Sequence, residues 1–109
     1  MEKLEQLIQE LGFENSQIFL EKNGLGVDEN MPFESFLQIQ LRNYLVKEIQ
    51  EWQKTILFFE NKYQGSWKNL NTNFHKFTTI DELEKEADEV EWEMALAFVE
   101  SYQKNLTQL

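Results

Sequence analysis

The chain has 109 residues and a formal net charge of −10. That length supports one modest core without metal or disulfide staples. Cysteine is absent, which excludes disulfides, thiolate catalysis and zinc–thiolate sites, and no stretch carries the basic surface that phosphate contacts require. A single helical domain over 1–109 is expected, with an N-terminal segment at 1–31 and a hairpin at 32–106.

The opening "MEKLEQLIQELG" is acidic and amphipathic, unlike a signal peptide, and no apolar run approaches the roughly 18–20 residues of a membrane span. A cytoplasmic protein is the expectation. Leu4, Leu7, Ile8 and Leu11 lie on one helical face, and Gly12 is a natural stop. In "ENSQIFLEKNG", Asn15 or Ser16 can cap a short helix ending near Asn23 and Gly24, with a strand at "QIFL" as the rival reading. "GLGVDEN" reads as a loop.

Pro32 suits the first turn of a helix, and no further Gly or Pro occurs until after Tyr63. Leu41, Leu45, Ile49, Trp52, Ile56, Phe59 and Tyr63 recur at steps of four and three, which predicts a helix of about 30 residues, roughly 45 Å long. Ile39, Val46 and Leu57 form a weaker second line on it. "QGS" then breaks the helix, and Ser66 can cap a short one through "WKNLNTNFHKF". Thr79, with Glu82 three positions later, predicts a capping box at the start of a last helix from about Ile80 to Leu106. Leu83, Ala87, Val90, Met94, Ala97 and Phe98 mark its expected inner stripe. Two long amphipathic helices joined by a short helical insert fold back as an antiparallel hairpin, on which the N-terminal helices pack. The fold class is all-α.

The chemistry-bearing candidates concentrate in the last helix. Residues 81–93 hold eight carboxylates against one lysine. Glu82, Glu86, Glu89, Glu93 and Glu100 fall within about 60° of one another around the helix axis. A dicarboxylate metal site wants Glu-x-x-His pairs facing inward, but the one histidine, His75, has Thr72 three before it, and "DEN" at 28–30 lacks the calcium-loop spacing. The acids therefore read as a solvated, dipole-favoured helix start or as a surface for a basic partner, with no metal and no cofactor. His75 has no nucleophile motif around it, and "GLG" at 24–26 lacks the context of a phosphate loop, so no enzyme is expected. An enzyme would need a concave pocket around His75, Tyr63 and Tyr102.

Trp92 lies about 150° from the expected inner stripe, and Leu96 and Val99 continue its line. A helix apolar on two faces is buried between layers or covered by another chain. Packing against Leu4, Leu7, Ile8 and Leu11 is one reading; a homodimeric or heterologous interface is the other.

Residues 42–102 resemble a family of small prokaryotic helical-hairpin proteins. In that pattern a long helix ends in Phe-Glu-x-Lys-Tyr, a short helix bearing a Phe follows, and a last helix opens with acids before Glu-Trp. Here the matching residues are Phe59, Glu60, Lys62 and Tyr63, then Phe74, then Asp88, Glu91 and Trp92, with Tyr102 as a later aromatic. The Lys-Tyr-Gly-Met-Ser turn of the family reads "KYQGSW", its glycine displaced by one position, and residues 1–33 have no counterpart. The resemblance implies an antitoxin-like partner of a small, basic toxin, with a nuclease as one candidate, and no catalytic residue to carry over. The expected partner-binding residues are Glu82, Glu86, Glu89 and Glu93 for electrostatics and Trp92, Leu96 and Val99 as anchors. An acidic phage-type inhibitor imitating nucleic acid, and a structural homodimer, are the alternatives.

Overall fold

The computed structural model describes residues 1–26, 28–69 and 79–109. Four α-helices account for most of them: α1 (Glu2–Glu10), α2 (Ser16–Lys22), α3 (Phe33–Lys62) and α4 (Glu82–Thr107), with a 3₁₀ turn at Trp67–Asn69. No strand occurs among the described residues, so the "QIFL" segment is helical and the all-α class holds. The chain forms two compact units, one of Met1–Val46 with Asn105–Leu109 and one of Lys47–Lys104.

Local chemistry sets the helix ends. Asn15 caps α2 through its Oδ1, which accepts the Ile18 N–H at 2.9 Å. At α4 the cap is Asp81, whose Oδ1 accepts the Leu83 N–H at 3.1 Å, and the expected Thr79–Glu82 box is displaced by two residues. A carboxylate at that position adds a favourable interaction with the helix dipole to the hydrogen bond.

Three helices close in the same way. The N–H groups of Phe13, Leu25 and Gly65 reach back five residues to the carbonyls of Ile8, Leu20 and Glu60, which is the Schellman pattern. The residue before each donor takes positive φ: Gly12 at 96°, Gly24 at 69° and Gln64 at 54°. The glycine displaced in "KYQGSW" thus sits one place after the position that needs it, and Gln64 adopts the left-handed conformation instead.

In the first unit, Leu4, Leu7 and Ile8 of α1 and Phe19 and Leu20 of α2 close on Leu37 and Leu41 of α3. Phe13, Phe19 and Tyr44 meet edge to face at 5.2, 5.7 and 5.5 Å, and each such pair contributes about 0.5–1.5 kcal/mol beyond its area. The N-terminal helices therefore pack on α3, as the hairpin reading anticipated. In the second unit, α3 and α4 run antiparallel. Lys62, at the end of α3, meets Glu84 and Asp88 near the start of α4, and Trp52 stacks on Phe98 ten residues further along each helix. The predicted stripe is buried, with Leu41 and Leu45 in the first unit and Ile49, Phe59 and Tyr63 in the second, and Trp52 and Ile56 partly so.

Candidate functional site

In the second unit α4 turns Trp92 inward, with the indole 1% exposed. Its ring stacks on Phe59 at 5.7 Å and on Tyr63 at 6.0 Å, and meets Trp67 edge-on at 5.6 Å. Leu96 and Ile56 pack against this cluster, and Val99 is half-buried. Trp92 is thus a core residue and not a surface anchor. What covers it is the end of α3 and the following turn, while Leu4, Leu7 and Ile8, expected to cover it, serve the core of the first unit.

A polar cluster borders the aromatic one. Tyr63 donates its hydroxyl to Asp88 Oδ2 at 2.6 Å, and Lys62 Nζ donates to the same oxygen at 2.6 Å and to Glu84 at 2.9 Å. Burial pushes the Tyr63 phenol well above its ordinary range, and its bond to Asp88 pushes it further the same way. The hydrogen bond to Asp88 raises Lys62, with Glu84 adding and desolvation opposing. A phenol held protonated and spent on a carboxylate is a structural tie and a poor general base. Tyr102 is also raised, by burial and then by Glu48.

The expected inner stripe of α4 faces the other way. Leu83, Val90 and Met94 are 73%, 59% and 45% exposed, and Ala87 and Ala97 are exposed with them. Only Phe98 of that set packs inward, against Trp52 and against Tyr102 at 6.0 Å. The reversal has a physical cause. The inward face carries Lys85 and Asp88, which an apolar count penalises, but each has a partner: Asp88 takes Tyr63 and Lys62, and Lys85 Nζ lies 3.5 Å from Glu82. Trp92 meanwhile supplies a flat ring that stacks on both Phe59 and Tyr63.

Of the expected partner-binding residues, the structure therefore separates acids from anchors. Glu82, Glu86 and Glu93 are exposed and Glu89 is half-buried, whereas Trp92, Leu96 and Val99 are turned into the unit. The acids flank instead the exposed row Leu83, Val90 and Met94. The sequence signal for this was present: two apolar lines on opposite sides of one helix, one of them edged by glutamate on both flanks. No group of three or more His, Asp or Glu side chains with metal-binding geometry occurs among the described residues. His75 lies outside them, as do Phe74 and the greater part of the expected short helix. No helix among the described residues is long and apolar enough to cross a membrane.

Comparison of the chain with protein-family models, with curated proteins and with solved structures returns no match.

Proposed function

We propose that the chain is a non-enzymatic, antitoxin-like binding protein that neutralises a small basic protein through the outward face of α4. One observation carries the reading: α4 is apolar on two opposite faces, and only one of them is used internally. Trp92 and Ala95 are buried on the inner face, while Leu83, Val90 and Met94 lie exposed on the other, beside Glu82, Glu86 and Glu93. Exposed apolar side chains in a row, rimmed by charge of one sign, have the composition of a protein-binding surface. The acids supply encounter rate and partner choice, and the apolar row supplies contact area. The resemblance of residues 42–102 to antitoxin-like hairpins supports the same reading, with the anchors moved from Trp92, Leu96 and Val99 to Leu83, Val90 and Met94.

The test is to sequence the neighbouring genes in the native host and co-express the chain with a small basic protein encoded there; the absence of any such gene counts against the reading. Neutralisation of that protein's effect on growth, together with a complex that survives gel filtration, is the expected result. Failure to neutralise or to bind it overturns the antitoxin-like reading.

A further inference from the structure

Resting on that binding role, we infer that the outward face of α4 is one half of a heterotypic coiled coil, whose other half is a partner helix flanked by Lys or Arg.

Leu83, Ala87, Val90, Met94, Ala97 and Ser101 follow one another at steps of four and three, and all six are exposed. That is the spacing of a two-stranded seam, with Leu83, Val90 and Ala97 at one of its two core positions and Ala87, Met94 and Ser101 at the other. A helix covered by a flat surface needs only a broad apolar stripe; a sustained four-three row is the narrower pattern that a second helix reads. The residues bordering the row settle which helix fits. Glu86, Glu93 and Glu100 line one edge and Glu84 and Glu91 the other, with Phe98 completing the second edge. In a coiled coil these edge positions face the partner's edges, in either chain direction.

The charge pattern excludes a second copy of this chain as occupant. Two such helices would set glutamate against glutamate at most edge positions, whether parallel or antiparallel, and like charges there disfavour the pairing. A helix with apolar residues at the same spacing and Lys or Arg on its edges meets opposite charge at five of the six edge positions, all but Phe98. Meanwhile Lys85, Trp92 and Val99, one heptad apart, lie on the far side from the seam and hold α4 in its own unit, so the six core positions of the seam stay exposed, while of the edge residues Glu84 pairs with Lys62 and Phe98 stacks on Trp52.

The probes are two labelled three-heptad peptides with leucine at both core positions, one with lysine and one with glutamate on its edges. Binding is read by fluorescence anisotropy against the full chain and against a Val90→Ser, Met94→Ser double variant. That variant removes apolar contact without altering charge, and circular dichroism confirms that it stays folded. The lysine peptide is expected to bind the wild-type chain at least tenfold more tightly than the glutamate peptide, more weakly at high salt, and at least tenfold more weakly to the double variant. Equal binding of the lysine peptide to wild type and double variant overturns the seam, since it leaves only attraction to an acidic surface. Equal binding of both peptides overturns the edge assignment, no binding of either overturns the whole, and a wild-type dimer that the double variant dissolves overturns the exclusion of self-pairing. The neighbouring-gene product separates the two levels. If it binds wild type and double variant alike, the antitoxin-like reading stands and this seam does not; if it binds neither while the lysine peptide discriminates as expected, the reverse holds.

Discussion

The Tyr63 hydroxyl donates to Asp88 Oδ2 at 2.6 Å, joining the C-terminal end of α3 to the second turn of α4. Lys62 shares the same carboxylate oxygen, so one acid organises the connected end of the α3–α4 pair. A hydrogen bond with one charged partner contributes about 1.5–3 kcal/mol. Tyr63→Phe is expected to lower stability by about that amount, and Asp88→Ala by more, because it removes the acceptor of both side chains. Urea denaturation of both single variants and the double variant checks this. Additive losses would show that the two residues do not act together.

The same group sets the alkaline limit. Tyr63 and Tyr102 ionise at higher pH in the folded chain than when free, and Lys62 also holds its proton to higher pH. A raised folded value adds stability that is complete below the unfolded value and lost as pH rises through the folded one. Stability is therefore expected to fall as pH climbs above about 10, where free tyrosine ionises. Denaturation midpoints between pH 8 and 11.5 test it. Tyr63→Phe should flatten the fall, and an unchanged slope in that variant would assign it elsewhere.

Gln64 has φ of 54° at the position where α1 and α2 carry glycine. Glycine adopts this conformation without a Cβ penalty. Left-handed backbone costs a residue with a side chain about 1–2 kcal/mol. Gln64→Gly gives back part of that gain through the greater freedom of the unfolded chain. A net increase of about 0.5–1 kcal/mol is expected. Thermal unfolding is the readout, and a lowered Tm would mean that the Gln64 side chain makes contacts worth more than the strain.

Trp92 distinguishes a core role from a surface role. Trp92→Ala is expected to cost about 3–5 kcal/mol, as for a large aromatic removed from a core. Its Nε1 is buried with no hydrogen-bond partner among the described residues. Trp92→Phe loses ring area but keeps an aromatic ring to stack on Phe59 and Tyr63. The Phe variant should stay well above the Ala variant in stability. Near-wild-type stability of Trp92→Ala would contradict the packing.

Substitutions on the outward face should do the opposite. Val90→Ser and Met94→Ser remove exposed side chains, so each is expected to shift stability by no more than about 0.5 kcal/mol. Binding to a basic partner should weaken in the same proteins. A loss of stability comparable to that of Trp92→Ala would place this face inside a core.

The sequence alone determined most of the local structure. The long helix, expected from Pro32 to Tyr63, spans Phe33–Lys62, and Asn15 caps α2 as its side chain suggested. Helix period, capping oxygens and stop glycines act within a few residues of where they are written, so they can be read there. Which face of α4 turns inward was decided only in three dimensions. Periodicity reports that Trp92, Leu96 and Val99 form one line and Leu83, Val90 and Met94 another, but it says nothing of the shape waiting opposite. Phe59 and Tyr63 present wide rings and a hydroxyl, and the face with Trp92 and Asp88 matches both, though it carries more charge. Packing complementarity and a satisfied buried polar group outweighed the apolar count, and that left an apolar seam edged with glutamate facing outward.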